Sequence, residues 1–355
     1  MKKYVLVTGS SGLIGTESCL YFHERGYSVI GIDNDMRSYF FGKDASTEKN
    51  KKHLIDTLND YEHYDVDIRD QASLSKIFQK YGSKIECVIH TAAQPSHDWA
   101  SKEPVTDFTI NANGTLNLLE ETRNNCKEAS FIFTSTNKVY GDRPNGTYEG
   151  SEFVINELDT RYEAYHKNFG ELYSVNENMS IDGSKHSLFG ASKLAADIMV
   201  QEYGKYFNMN TVTFRGGCLT GAHHKGAKLH GFMSYLIKCI KNHMPYTILG
   251  YKGKQVRDNI DSWDLVNAFW HYHQNPSQGE VYNIGGGREN SVSILEVIDS
   301  VKKELGSNWD KYEISDKNRI GDHIWYITDL TKFKTKYPDW KITKNIDSII
   351  KEMIL

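Results

Sequence analysis

The stretch from Tyr4 to Asp33 constrains the fold of this 355-residue chain more than any other. Tyr4–Thr8 is a short apolar run that suits a buried strand. It leads into Gly9-Ser10-Ser11-Gly12-Leu13-Ile14-Gly15 and then a helical pattern to about Arg25. Gly26 stops that helix, and Ser28–Ile32 reads as a second strand ending in Asp33. Strand, glycine turn, helix, strand and acid make a βαβ crossover, the connection that sets two strands side by side in parallel.

Such a turn has a specific chemistry. Glycine lets the backbone turn tightly and approach a pyrophosphate with no Cβ in the way. The helix start presents unbonded N–H groups and the positive end of the helix dipole to the phosphates. Gly9, Ser11, Gly12, Leu13, Ile14 and Gly15 are expected in that cradle. Asp33, with Asn34 beside it, suits the ribose hydroxyls, and an acid there repels a 2′-phosphate, which favours NAD over NADP. Arg37 lies close enough to soften that preference. The spacing is G-x-x-G-x-x-G and, taken alone, also fits an ordinary tight turn; the flanking strands, helix and acid point to a dinucleotide.

The alternation continues. Tyr64–Ile68 reads as a strand, Ser73–Tyr81 as a helix, Cys87–Thr91 as a strand, Val105–Asn124 as a helix and Ser130–Ser135 as a strand. This rhythm implies an α/β fold, a doubly wound parallel sheet with ligands beyond the carboxyl ends of its strands. Asp67, Thr91-Ala92-Ala93 and Thr134-Ser135-Thr136 fall at such ends.

Composition removes other classes. With 42 Lys and Arg against 46 Asp and Glu, the net charge of −4 argues against a nucleic-acid partner. No apolar run is long enough for a membrane span, and the N-terminal residues lack the pattern of a signal peptide. The five cysteines are scattered and form no C-x-x-C pair, so neither a disulfide framework nor a zinc site is expected, and a reducing cytoplasm is the simplest setting. His223-His224 and His230 have no carboxylate at helical spacing and suit loop or nucleotide contacts better than a metal.

In order along nearly the whole chain, several motifs resemble the extended short-chain dehydrogenase/reductase family, in its NAD-dependent epimerase/dehydratase group. They are the glycine turn, Asp67-Ile68, His90-Thr91-Ala92-Ala93, Asn111-Ala112-Asn113-Gly114-Thr115, Thr134-Ser135-Thr136, Val139-Tyr140-Gly141 and Ser192-Lys193. The resemblance implies a Rossmann-type sheet with a smaller, discontinuous α/β C-terminal domain for the substrate. Residues 1–216 plus 250–285 would bind NAD, and 217–249 plus 286–355 a nucleotide-diphosphate sugar. It places Asp67, Ile68, Thr91, Ala92, Ala93, Asn111 and Lys193 at the cofactor. Gln94, His97, Thr136, Asn137, Lys138, Arg257 and Arg319 would meet the substrate, the two arginines gripping its diphosphate through a guanidinium fork.

Ser135–Asp142, Asp159-Thr160-Arg161-Tyr162, His186-Ser187 and Gly253–Asp258 resemble the branch that acts on CDP-sugars at carbon 2, so a CDP-sugar is the favoured substrate. Dehydratases of the family carry Asp-Glu after the catalytic Thr; here Asn137-Lys138 stands there. A 4-epimerase or a reductase is the alternative enzyme. The resemblance also implies a homodimer or higher homo-oligomer, through the helix near Val105–Asn124 and the one after Lys193.

One departure bears on the chemistry. The family's Tyr-x-x-x-Lys reads Phe189-Gly190-Ala191-Ser192-Lys193. A phenyl ring carries no exchangeable proton. Either Tyr162, Tyr165, Tyr173, His186 or Lys193 supplies the acid/base, the first three from the long insertion Arg143–Lys185, or the chain binds NAD and a nucleotide sugar without turning it over, or Phe189 is a substitution made to trap a substrate.

Overall fold

The computed structural model describes residues 2–224, 231–318 and 321–355. In chain order its strands are β1 (Tyr4–Thr8), β2 (Ser28–Ile32), β3 (Tyr61–Tyr64), β4 (Ile85–His90), β5 (Ser130–Thr136), β6 (Phe153–Glu157), β7 (Tyr162–His166) and β8 (Thr211–Gly216). They continue as β9 (Cys218–Thr220), β10 (Tyr246–Leu249), β11 (Val256–Asp261), β12 (Glu280–Ile284), β13 (Ser291–Ser293), β14 (Tyr312–Ser315) and β15 (Trp325–Tyr326).

The main sheet runs β12-β8-β5-β4-β1-β2-β3, with every neighbouring pair parallel. Its central strands are continuous apolar runs such as Val5-Leu6-Val7, because helices cover both faces. The helices Leu13–Glu24 and Ser262–Gln274 pack one face through Tyr21, Phe22, Phe269 and Tyr272. Those at Gln71–Tyr81, Gly114–Asn125 and Leu188–Phe207 pack the other through Leu74, Leu118, Leu119 and Val200. The strand order reverses at β1, where β2 leaves on one side and β4 on the other, and ligand crevices form at such a switch point.

The remaining strands make smaller sheets: β11 with β9, β13 and β15, β10 with β14, and the antiparallel hairpin β6–β7. A separate apolar cluster under β10 joins the helices Phe232–Lys241, Ile294–Leu305 and Ile346–Ile354.

Several expected elements shift. The strand placed at Tyr64–Ile68 is β3, which ends at Tyr64 because its partner β2 ends at Ile32. Beyond it Asp67 folds back to accept from the Arg69 N–H at 2.8 Å. The helix expected over Val105–Asn124 is interrupted by a π turn at Thr109–Asn113. The helix bearing Lys193 starts earlier, at Leu188, where the Ser187 hydroxyl caps it by accepting from the Gly190 N–H at 3.0 Å. Phe189 and Lys193 therefore lie one turn apart on the same face.

Candidate active site

A cavity of about 900 Å³ opens beyond the carboxyl ends of β1, β2, β4 and β5 and extends to β9, β10 and β11. One end is built from backbone. Gly9 has φ +66°, and a Cβ added to it would lie 2.8 Å from the Ala92 nitrogen. A Cβ on Gly15 would lie 1.9 Å from the Gly9 carbonyl oxygen, so the helix can seat on the turn only through glycine. Gly12 caps that helix without a side-chain hydrogen bond, which leaves the first-turn N–H groups to the cavity.

Asp33 stands at the end of β2. Its carboxylate accepts from the Ser11 N–H at 3.0 Å and the Asp35 N–H at 2.8 Å, and burial raises its pKa. Asn34 donates to Asp67 at 3.3 Å, and Asp67 pairs with Arg69 at 2.7 Å. Burial brings the Arg37 guanidinium down to about 10. Gly9, Gly12, Leu13, Ile14, Asp33, Asn34, Arg37, Asp67, Ile68, Thr91, Ala92, Ala93 and Lys193 all line the cavity. The glycine cradle, the bare helix start and the acid fit a dinucleotide.

Ser11, Gly15 and Asn111 are absent from that lining. Asn111 sits in the π turn, which turns its amide into the protein. It accepts from the Gln94 N–H at 2.9 Å and donates to the Ser192 hydroxyl at 3.0 Å. Gln94, read as a substrate contact, is likewise buried and donates to Asp107 at 2.6 Å. The two amides brace the β4 loop against the helix that carries Lys193.

At the middle of the cavity Thr136 ends β5, its hydroxyl accepting from the Lys138 N–H at 3.3 Å. Lys193 is 3% exposed; its ammonium donates to the Thr134 carbonyl at 2.7 Å and lies 4.0 Å from the centre of the Phe133 ring. Burial pulls its pKa to about 7, against the opposing pull of Asp197 and Asp107. Phe189 meets the His97 ring edge to face, with centroids 5.1 Å apart. The Nδ1 of His97 lies 2.5 Å from the Ser187 hydroxyl.

The other acid/base candidates lie elsewhere. His186 places Nε2 2.7 Å from the Val139 carbonyl. Tyr165 pairs with Val154 in the β6–β7 hairpin, Tyr162 donates to Glu157 at 3.5 Å, and Tyr173 stacks on Phe153 at 4.3 Å. None of these four lines the cavity; within the insertion Phe153 and Tyr173 pack against Trp325.

The far end is built from side chains. Arg257 donates to Asp322 at 2.7 Å and to the His323 carbonyl, and Lys138 approaches Asp322 to 3.8 Å. Asn137, Cys218, Phe232, Tyr235, Tyr246 and Leu249 complete this end. Arg319 and His230 lie outside the described residues. His223 and His224 line the cavity, and the described residues contain no group of three metal-ligating side chains.

Sequence reasoning passed over Asn50, on the helix Glu48–Thr57. Its amide donates to the Ser11 carbonyl at 2.9 Å and to the His223 carbonyl at 3.2 Å, bridging the glycine turn to the loop that follows β9. No local pattern marks that residue.

The parallel sheet, the glycine cradle and the acid ending β2 define a dinucleotide-binding α/β protein of Rossmann type. Residues 5–285 match the model of the NAD dependent epimerase/dehydratase family, and the chain belongs to that family. Among its relatives, CDP-paratose 2-epimerase of Salmonella typhi is 31% identical over 343 residues, 95% of this chain and 94% of that one. UDP-glucose 4-epimerase of Yersinia pestis is 28% identical, covering 98% of this chain and 95% of that one. The fold superposes on UDP-glucuronic acid 4-epimerase from Bacillus cereus, solved with UDP-glucuronic acid and NAD, with a TM-score of 0.79, 24% identity and coverage of 99% and 98%. NAD is the cofactor of this family.

Proposed function

We propose that the chain is an NAD-dependent nucleotide-sugar epimerase acting by transient oxidation of a sugar carbon, with a CDP-sugar inverted at carbon 2 as the favoured substrate. The observation that carries the reading is the continuity of one cavity from the glycine cradle, past Thr136 and Lys193, to Arg257. The similarity to CDP-paratose 2-epimerase supports the choice of base and carbon.

Bound NAD would supply a reversible hydride acceptor for the sugar carbon. Gly9, Gly12, Leu13 and Ile14 would hold its pyrophosphate, Asp33 its adenosine ribose and Lys193 its nicotinamide ribose. Thr136 would hydrogen-bond the reacting hydroxyl. Arg257 and Lys138 would take the diphosphate, Arg257 exchanging part of its pairing with Asp322 for phosphate oxygens. Asn137-Lys138 offers no carboxyl to expel water, which favours inversion over dehydration. In this reading residues 1–216 plus 250–285 form the cofactor lobe, from which Thr136, Lys138 and Arg257 reach the substrate, and 217–249 plus 286–355 form the substrate lobe.

Two chains would associate through the helices Pro104–Phe108 and Leu188–Phe207, where Val105, Phe108, Ile198 and Tyr206 are exposed. A reducing cytoplasm is the proposed setting; among the described residues no cysteine forms a disulfide, and no described helix is long and apolar enough to cross a membrane.

Phe189 favours a second reading, a protein that binds NAD and a nucleotide sugar without turnover. Proton NMR of CDP-paratose, UDP-glucose and GDP-mannose incubated with the NAD-loaded chain separates the two. Inversion at carbon 2 of the CDP-sugar is expected; binding of all components with every sugar unchanged would establish the second reading.

A further inference from the structure

If a sugar carbon is oxidised here, its hydroxyl must lose a proton to a group other than residue 189. We infer that the imidazole of His97 exchanges that proton, an assignment that rests on the epimerase reading above. His97 lines the cavity together with Thr136, Lys193 and Phe189. Its ring abuts Phe189, with centroids 5.1 Å apart and planes at 78°, so an acid/base stands against the ring that lacks one.

The imidazole is also held in place. Ser187, whose hydroxyl caps the helix carrying Phe189 and Lys193, meets His97 Nδ1 at 2.5 Å. Beside Ser187, Gly321 packs so closely on the same edge that an added Cβ would lie 2.6 Å from Nδ1. One serine thus ties the imidazole to the helix that sets the position of Lys193. The remaining acid/base candidates face other partners: Lys193 lines the cavity but donates to the Thr134 carbonyl at 2.7 Å, His186 is bonded to the Val139 carbonyl, and Tyr162, Tyr165 and Tyr173 pack outside the cavity.

The proton balance closes with Nδ1–H donated to the Ser187 oxygen and Nε2 as acceptor, the tautomer the assignment requires. The sugar O–H bond breaks, its proton moves to Nε2, and the hydride on the same carbon leaves for NAD, forming the carbonyl and NADH. After the ketosugar turns over, imidazolium returns the proton to oxygen as the hydride returns to carbon. The net change is stereochemical, and the cofactor ends as it began.

The test uses the full chain loaded with NAD, with CDP-paratose as probe. His97→Gln is expected to lower kcat by roughly 10²–10⁴-fold, while calorimetric affinities for NAD and CDP-paratose change less than about threefold. Adding Phe189→Tyr to His97→Gln returns the phenol to the family's position and is expected to recover at least about tenfold of the lost rate. His97→Asn is read in the same way, so a single poorly folding variant does not decide the matter. Variants that keep more than about a tenth of kcat, or that lose CDP-paratose affinity in step with kcat, overturn the assignment and leave the epimerase reading standing. No turnover by the unaltered chain overturns both.

Discussion

The two ends of the cavity are made of different materials. The end proposed for the cofactor is chiefly backbone within Tyr4–Asp33, a glycine turn and a bare helix start, with the Asp33 side chain beside them. The end proposed for the nucleotide sugar is side chain: Lys138 after β5, Cys218 in β9, Tyr246 in β10, Arg257 in β11 and Asp322 towards the C-terminus. A backbone cradle fits one chemical shape and tolerates little change, because its atoms cannot be swapped without rebuilding the turn. A side-chain pocket can be retuned one residue at a time, which suits the end proposed to meet a variable sugar nucleotide.

The sharpest way to break this contrast is Gly15→Ala. Its added carbon would lie 1.9 Å from the Gly9 carbonyl oxygen, so the helix must lift off the turn. A penalty at the upper end of the usual 1–3 kcal/mol for overpacking corresponds to about 100-fold weaker NAD binding. Normal NAD affinity by calorimetry would show that the cradle is more adaptable than its geometry implies. Next comes Arg257→Ala, which removes a charge-assisted contact of about 1.5–3 kcal/mol. It should weaken CDP-paratose binding by roughly 10- to 100-fold and leave NAD affinity unchanged; an equal loss at both ends would mean that the ends are not separable. The smallest effect is expected from Asp33→Ala, which removes an acceptor for the ribose. A roughly tenfold loss of NAD affinity, with NADP weakened less, is the expected result in a paired titration of the two dinucleotides.

The same difference in materials explains what the chain discloses before folding. The turn from Gly9 to Asp33 is legible because much of its physics is local: Gly12 and Gly15 answer to Gly9 a few residues away, although Gly9 itself packs against the distant Ala92. The doubly wound parallel sheet is likewise legible, since the alternation of strand and helix patterns implies it, whereas its strand order comes from the structure. Gln94 and Asn111 are misleading for a tertiary reason, since a π turn rotates Asn111 inward and both amides become braces. Tyr162, Tyr165 and Tyr173 stand out by type alone, and the packing of Tyr173 against Trp325 depends on a residue far along the chain. The contact between His97 and Phe189 joins two distant segments, and neither segment announces the other.

Asn50 has a consequence of its own. One amide serves two masters, the carbonyl of Ser11 in the dinucleotide turn and the carbonyl of His223 in the loop beyond β9. In a genetic screen, damage at this position would surface as two phenotypes at once, weakened cofactor retention and a disturbed substrate loop. A geneticist mapping either trait would arrive at a polar helix that belongs to neither motif, and would find there the point at which the two traits are linked.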